Sequence, residues 1–120
     1  MGLSWLTNHY KLQQGKGYKI YEVDENGNLI GLITGDLALP NLWVRAKNNV
    51  TISIGAHRYV AGFHVYLNFF EANRRFKSYQ EIFHQQEFRM VEVEFRRVLA
   101  SGFEGKAEVT ATCSLQPLSS

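Results

Sequence analysis

The feature that most constrains this chain is a turn. Asp24-Glu25-Asn26-Gly27-Asn28 stands between two β-rich runs, Gly17-Tyr18-Lys19-Ile20-Tyr21-Glu22-Val23 and Leu29-Ile30-Gly31-Leu32-Ile33. Asn-Gly accepts the positive φ angles that a tight reversal demands, and Asp and Asn side chains bond nearby backbone there. Residues 17–33 therefore read as a hairpin, which commits the fold to antiparallel pairing early. The hairpin's inward face stays open, because Tyr18 and Ile20 form one apolar set and Tyr21 and Val23 the other.

The remaining elements follow from period and punctuation. Residues 34–49 read as irregular, with turn chemistry at Gly35-Asp36 and Leu39-Pro40-Asn41 and a short strand over Trp43–Ala46. Val50–Ile54 alternates, with Val50, Ile52 and Ile54 inward, and Tyr59–Leu67 is a second aromatic β-rich run. Asn68 is a good N-cap for a helix that places Phe69, Ala72 and Phe76 on one face and Glu71, Arg74 and Arg75 on the other. A second short helix is expected over Tyr79–Gln86, capped by Ser78, with Ile82 and Phe83 inward.

From Val91 the period becomes two: Val91, Val93 and Phe95 point one way, Glu92, Glu94 and Arg96 the other. After a turn over Gly102–Lys106, Ala107–Leu115 alternates with Val109, Ala111, Cys113 and Leu115 inward, and these last two strands should pair as a hairpin. The expected class is α+β: a mostly antiparallel sheet of five to six strands, with one or two helices inserted between residues 68 and 87.

With 120 residues, 45% of them hydrophobic and 13% aromatic, the chain fits one domain with a packed core. Residues 1–16 read as an N-terminal segment and 116–120 as a frayed tail. The one cysteine, Cys113, cannot make an internal disulfide and reads as a small buried hydrophobe, which suits a cytoplasmic protein. Nothing approaches the ~20 apolar residues that span a bilayer, and the first ten residues do not read as a signal peptide. No membrane role is expected.

Chemistry is mostly excluded. His9, His57, His64 and His84 lack the spacing that sets two ligands on one face, so no metal is expected. His64 lies in an aromatic strand and reads as structural. Glu92 and Glu94 sit about 7 Å apart on one strand face, where solvated carboxylates are the ordinary case. No glycine-rich phosphate loop precedes a helix, and no nucleophile–base–orienter set is visible, so neither a cofactor nor an enzymatic role is called for.

Charge distribution says more than the net of +2. Between Leu37 and Tyr79 lie Arg45, Lys47, Arg58, Arg74, Arg75 and Lys77 against the single acid Glu71, interleaved with aromatic rings. Cations neutralise phosphates and rings stack on bases, although the periodicity places most of these rings in the core. The Arg74-Arg75-x-Lys77 cluster remains as a positive patch suited to a protein or nucleic acid with an acidic surface. The candidate contact residues are Arg74, Arg75, Lys77 and Arg58, with Trp43 as an aromatic anchor.

Two resemblances add expectations. The hairpin from Gly17 to Asn28, followed by Gly62-Phe63-His64-Val65-Tyr66 and Phe69-Phe70-Glu71-Ala72, resembles small bacteriophage-encoded proteins. These include inhibitors of bacterial defence systems that occupy a surface of their target. The strand–helix unit from Gly62 to Phe76 with Glu92-Val93-Glu94 is also similar to ADP-ribosyltransferases, though no Ser-Thr-Ser strand precedes the acids. That second resemblance implies a nucleotide cofactor, Glu94 as catalytic acid and Tyr66 stacked on nicotinamide, with His64 beside them. A structural, self-assembling subunit is the third expectation.

Overall fold

Residues 5–6, 14–32, 37–45, 51–54, 57–60, 63–104 and 107–118 are described by the structure, a computed structural model. In chain order the elements are β1 (Trp5–Leu6), β2 (Gln14–Val23), β3 (Leu29–Gly31), β4 (Leu37–Ala38), β5 (Val44–Arg45), β6 (Thr51–Ile54) and β7 (His57–Val60). Then come β8 (Phe63–Tyr66), α1 (Phe69–Ile82), β9 (Glu87–Glu104) and β10 (Ala107–Pro117). Among the described residues the fold is α+β, with one helix against a mostly antiparallel sheet that closes nearly to a barrel.

The early hairpin forms as its turn requires. Tyr21, Glu22 and Val23 face Gly31, Ile30 and Leu29. Asp24 organises the reversal: its Oδ1 accepts from the backbone N–H groups of Asn26 at 2.9 Å and Asn28 at 2.8 Å, while Gly27 takes φ of 82°. Those bonds, the Asn28 N–H foremost, hold the Asp24 carboxyl below its ordinary pKa.

The sheet is organised around β9. On one edge it pairs with all of β2, from Gln14↔Arg96 to Val23↔Glu87, and on the other with β10, from Ala107↔Glu104 to Pro117↔Val93. β10 continues to β8, and β8 returns to β2 at Tyr18↔Tyr66, which completes a circuit of four strands. β1, β4 and β5, two residues each, extend this sheet, so β2, β3, β8, β9 and β10 carry most of its pairing. β6 and β7 form a separate hairpin.

Closure needs two local devices. Between Ala111 and Thr112 the register against β9 shifts from Ala100 to Val98, a bulge beside Arg97, whose φ is 58°. An unpaired extra residue bends and twists a long strand. At the other seam Gly17 lets β2 cross β8 closely, since a Cβ there would stand 2.6 Å from the Tyr66 carbonyl oxygen and collide with Val65.

Two apolar clusters result. One joins the helix to the sheet through Ile20, Tyr66, Ala72, Tyr79 and Phe88, with Tyr18, Leu32, Phe76 and Met90 packed around them. The other fills the sheet's opposite side with Phe63, Val65, Val93, Phe95 and Leu115. Tyr18 and Ile20 of the first hairpin join the first cluster, while Tyr21 is buried on the other face and Val23 half-buried, so β2 is covered on two faces. The alternation of Val93 and Phe95 inward with Glu92 and Arg96 outward is as expected.

Several expectations change. No second helix begins at Ser78; α1 runs unbroken through it to Ile82 and ends at Phe83, whose N–H donates to the Tyr79 carbonyl at 2.8 Å. Ile82 and Phe83 are exposed, since the face carrying Ala72, Phe76 and Tyr79 already meets the sheet. Strand β9 starts at Glu87 and runs through Gly102 to Glu104, leaving only 105–106 for the turn, outside the described residues. Thr112 is buried where alternation put it outward, because β10 is paired on both edges there, to Val98 of β9 and to the buried Phe63 of β8. Residues 14–16 belong to β2, and Gln116 and Pro117, expected to fray, are paired to Glu94 and Val93, with the Leu118 N–H donating to Glu92 O at 2.9 Å. The inward assignments of Val50, Ile52, Ile54, Val109, Ala111 and Cys113 concern side chains outside the described residues.

The seam at Gly17 sets a test. Gly17→Ala forces backbone apart in a packed interior and should lower unfolding free energy by roughly 3 kcal/mol. Gly27→Ala meets open space, and its cost is confined to the left-handed backbone, about 1 kcal/mol. Urea denaturation of both variants measures the difference; equal losses would mean that the β2–β8 crossing is not tight.

Candidate functional site

The helix presents the expected cations unequally. Asn68 caps α1, its Oδ1 accepting from the Glu71 N–H at 3.1 Å, and this fixes the helical phase. Phe70, Arg74 and Lys77 then follow at i, i+4 and i+7 on one exposed stripe. Phe70 is 77% exposed, a large ring facing water beside two cations. Arg74 lies 3.5 Å from Glu71 across one helical turn, a surface pair of small energetic weight. Arg75 departs from the patch: it is half-buried, and its guanidinium lies 5.4 Å from the Tyr79 ring centroid. Arg58 falls on β7, and its side chain lies outside the described residues.

Trp43 is held far from α1 in sequence but on a firm support. The Asn41 N–H donates to the Pro117 carbonyl at 2.7 Å, and Val44 and Arg45 pair with Leu115 and Ser114. Between these anchors the indole is 37% exposed, and the Arg96 guanidinium sits 3.8 Å from its centroid. Around them opens a shallow cleft of about 310 Å³, lined by Gln14, Gly15, Lys16, Trp43, Glu94 and Arg96. Sequence reading found Trp43 but missed Arg96 and Lys16. The only signal was the outward strand phase of Arg96, since Lys16 fell in the N-terminal segment, and the pairing of β5 with β10 that brings Trp43 to them has no local signature.

The cleft adjoins the N-terminal end of the helix. Phe69 meets Tyr18 edge-on at 5.4 Å, while Tyr79 meets Phe88 at 5.7 Å, so α1 runs from Tyr18 towards Phe88 along the β2–β9 ladder. Lys16 and Glu94, cross-strand partners, lie two residues beyond Tyr18 and Glu92 on the same face.

The residues implied by an ADP-ribosyltransferase are divided between the interior and the Trp43 cleft. Tyr66 is 4% exposed in the cluster under the helix, and His64 is buried on the same strand. Glu94 is half-buried in the Trp43 cleft. Among the described residues, no group of three His, Cys, Asp or Glu side chains could hold a metal ion, and no helix is long and apolar enough to cross a membrane.

Polar groups also enter the interior. Lys19, buried on β2, places Nζ 5.3 Å from the Tyr21 ring centroid and 5.6 Å from that of Phe63. Burial, reinforced by the Lys19 charge, pushes the His64 imidazole down to about 4. Burial likewise raises the Tyr21 phenol above its ordinary value. No family model matches the chain, and no curated protein and no solved structure matches it.

The buried imidazole makes stability depend on pH with a defined sign. Unfolded, His64 titrates near 6.5, and folded near 4, so between these values the unfolded chain binds a proton that the native one refuses. Its contribution is complete above about pH 6.5 and is lost as pH falls towards 4, on the order of 3 kcal/mol. Urea midpoints should fall across that window, and His64→Gln should flatten the fall. Parallel profiles for the two proteins would show that His64 is not the group responsible.

Proposed function

We propose that this chain is a non-enzymatic binding module that docks an acidic macromolecular surface with the outer stripe of α1. The observation that carries this reading is Phe70 beside Arg74 and Lys77 on one exposed helical face. An exposed ring flanked by cations supplies both parts of a contact: apolar area for affinity and charge for steering. Inhibition by occupying a partner's surface, as the phage resemblance implies, needs nothing further in the way of catalytic residues.

Arg75 contributes by holding Tyr79 and the helix in place, so the contact set is narrower than the basic cluster in the sequence. The triple variant Phe70→Ala/Arg74→Glu/Lys77→Glu changes only outward-facing side chains and should keep the wild-type unfolding free energy within about 1 kcal/mol. Its capture of the cellular partner should drop at least tenfold. Undiminished capture by a folded triple variant would remove the helix stripe from consideration. An upward thermal shift of wild-type protein with NAD would instead favour the nucleotide-cofactor reading.

A further inference from the structure

Beyond the N-terminal end of α1, two rows of cross-strand neighbours run over the outer face of the sheet. In the first, Arg45 of β5, Ser114 of β10, Arg96 of β9 and Gln14 of β2 are successive partners. In the second, Gln116, Glu94 and Lys16 follow in the same way. Directly opposed residues share a face, and strands lie about 4.8 Å apart, so the first row spans roughly 14 Å. Arg96 and Lys16 thus line the cleft beside one exposed indole, and Arg45 stands at the end of the first row, outside the cleft lining. Among the described residues, Arg45, Arg96 and Lys16 make no ion pair.

The geometry points to single-stranded nucleic acid as the ligand of this cleft, with a base stacked on the Trp43–Arg96 platform and phosphates drawn to Arg45 and Lys16. This goes beyond the helix-stripe reading, because the cleft is a separate site that shares none of its residues. Indole and guanidinium planes are the surfaces on which unstacked bases settle. Arg96, already stacked on Trp43, has its orientation fixed in advance, so less freedom is lost when a ligand arrives. Glu94 discriminates between acidic partners. It lies inside the cleft, where it repels a peptide carboxylate but can accept from a base N–H, such as the imide N–H of thymine, with the Gln14 amide lining the same cleft. A duplex keeps its base faces covered and cannot use the platform.

The experiment is fluorescence anisotropy with a labelled oligothymidylate, against duplex DNA and polyglutamate. Oligothymidylate should bind, with log K falling against log salt at a slope of about −1.4 for two neutralised phosphates. Trp43→Ala should weaken binding about tenfold or more, and Trp43→Phe should retain most of it. Lys16→Glu, an exposed change that leaves the ladder intact, should weaken it too. Polyglutamate or duplex binding as tightly as the single strand, no binding of oligothymidylate, or indifference to Trp43→Ala would each overturn the inference. If oligothymidylate fails while the triple helix variant still loses its cellular partner, the cleft falls and the helix reading stands. If oligothymidylate binds as described and the helix variant keeps its partner, the helix reading falls alone.

Discussion

Over Val93–Arg96 the backbone of β9 is paired on both edges at once. Gly17, Lys16, Gly15 and Gln14 lie on one side, and Pro117, Gln116, Leu115 and Ser114 on the other. This doubly bonded stretch fixes the mutual position of the first hairpin and the last. Immediately after it, the left-handed Arg97 and the neighbouring bulge turn the strand, so that its second half carries β10 across to β8. A non-glycine residue at positive φ costs on the order of 1–2 kcal/mol, and it persists because pairing on either side over-determines it. The bend and the bare backbone at Gly17 together let the sheet return to itself.

Closing the sheet has an energetic consequence. Lys19 projects from β2 towards the rings of Tyr21 and Phe63, and cation–π attraction there is worth about 0.5–2 kcal/mol. Removing an ammonium from water costs several kcal/mol, so those ring contacts do not offset its burial alone. The hydroxyls of Tyr21 and Thr112 are buried with no hydrogen-bond partner among the described residues, each a further cost of roughly 1–3 kcal/mol. The weight of stability therefore falls on the apolar clusters, above all on Val65, Val93, Phe95 and Leu115, which are essentially sealed from solvent.

What the sequence made legible was local. The Asp24–Asn28 turn, the Asn68 cap and the alternation of Val91–Arg96 each depend on neighbours a few residues away, and each is found as expected. Ser78 shows the limit of the same logic: a capping side chain does not start a helix when the turn before it is already packed on the sheet. Lys19 and Thr112 were illegible because burial of both faces of β2 and the placing of β10 between β9 and β8 are properties of closure, not of local pattern. The candidate site divides in the same way. Arg74 and Lys77 could be read from helical spacing, whereas the meeting of Trp43 with Arg96 required the long-range pairing of β5 with β10.

Lengths explain why a ring-and-cation surface is left uncovered at all. The ten paired residues of β2 extend roughly 33 Å along β9, whereas the 14 residues of α1 reach only about 21 Å. The helix is anchored over the hairpin end, where Tyr79 meets Phe88, and its N-terminus stops at Tyr18. Among the described residues no helix lies over the remaining stretch, Gln14–Lys16 against Glu94–Arg96, whose helix-side face carries Gln14, Lys16, Glu94 and Arg96 instead of apolar side chains. The turn pinned by Asn41 lays Trp43 beside this opening without closing it. Exposed Phe70 stands at the helix end nearest the opening, so the two ring-and-cation groups share one side of the molecule. A partner long enough to cover both would meet them in sequence, with the helix end as the boundary between them.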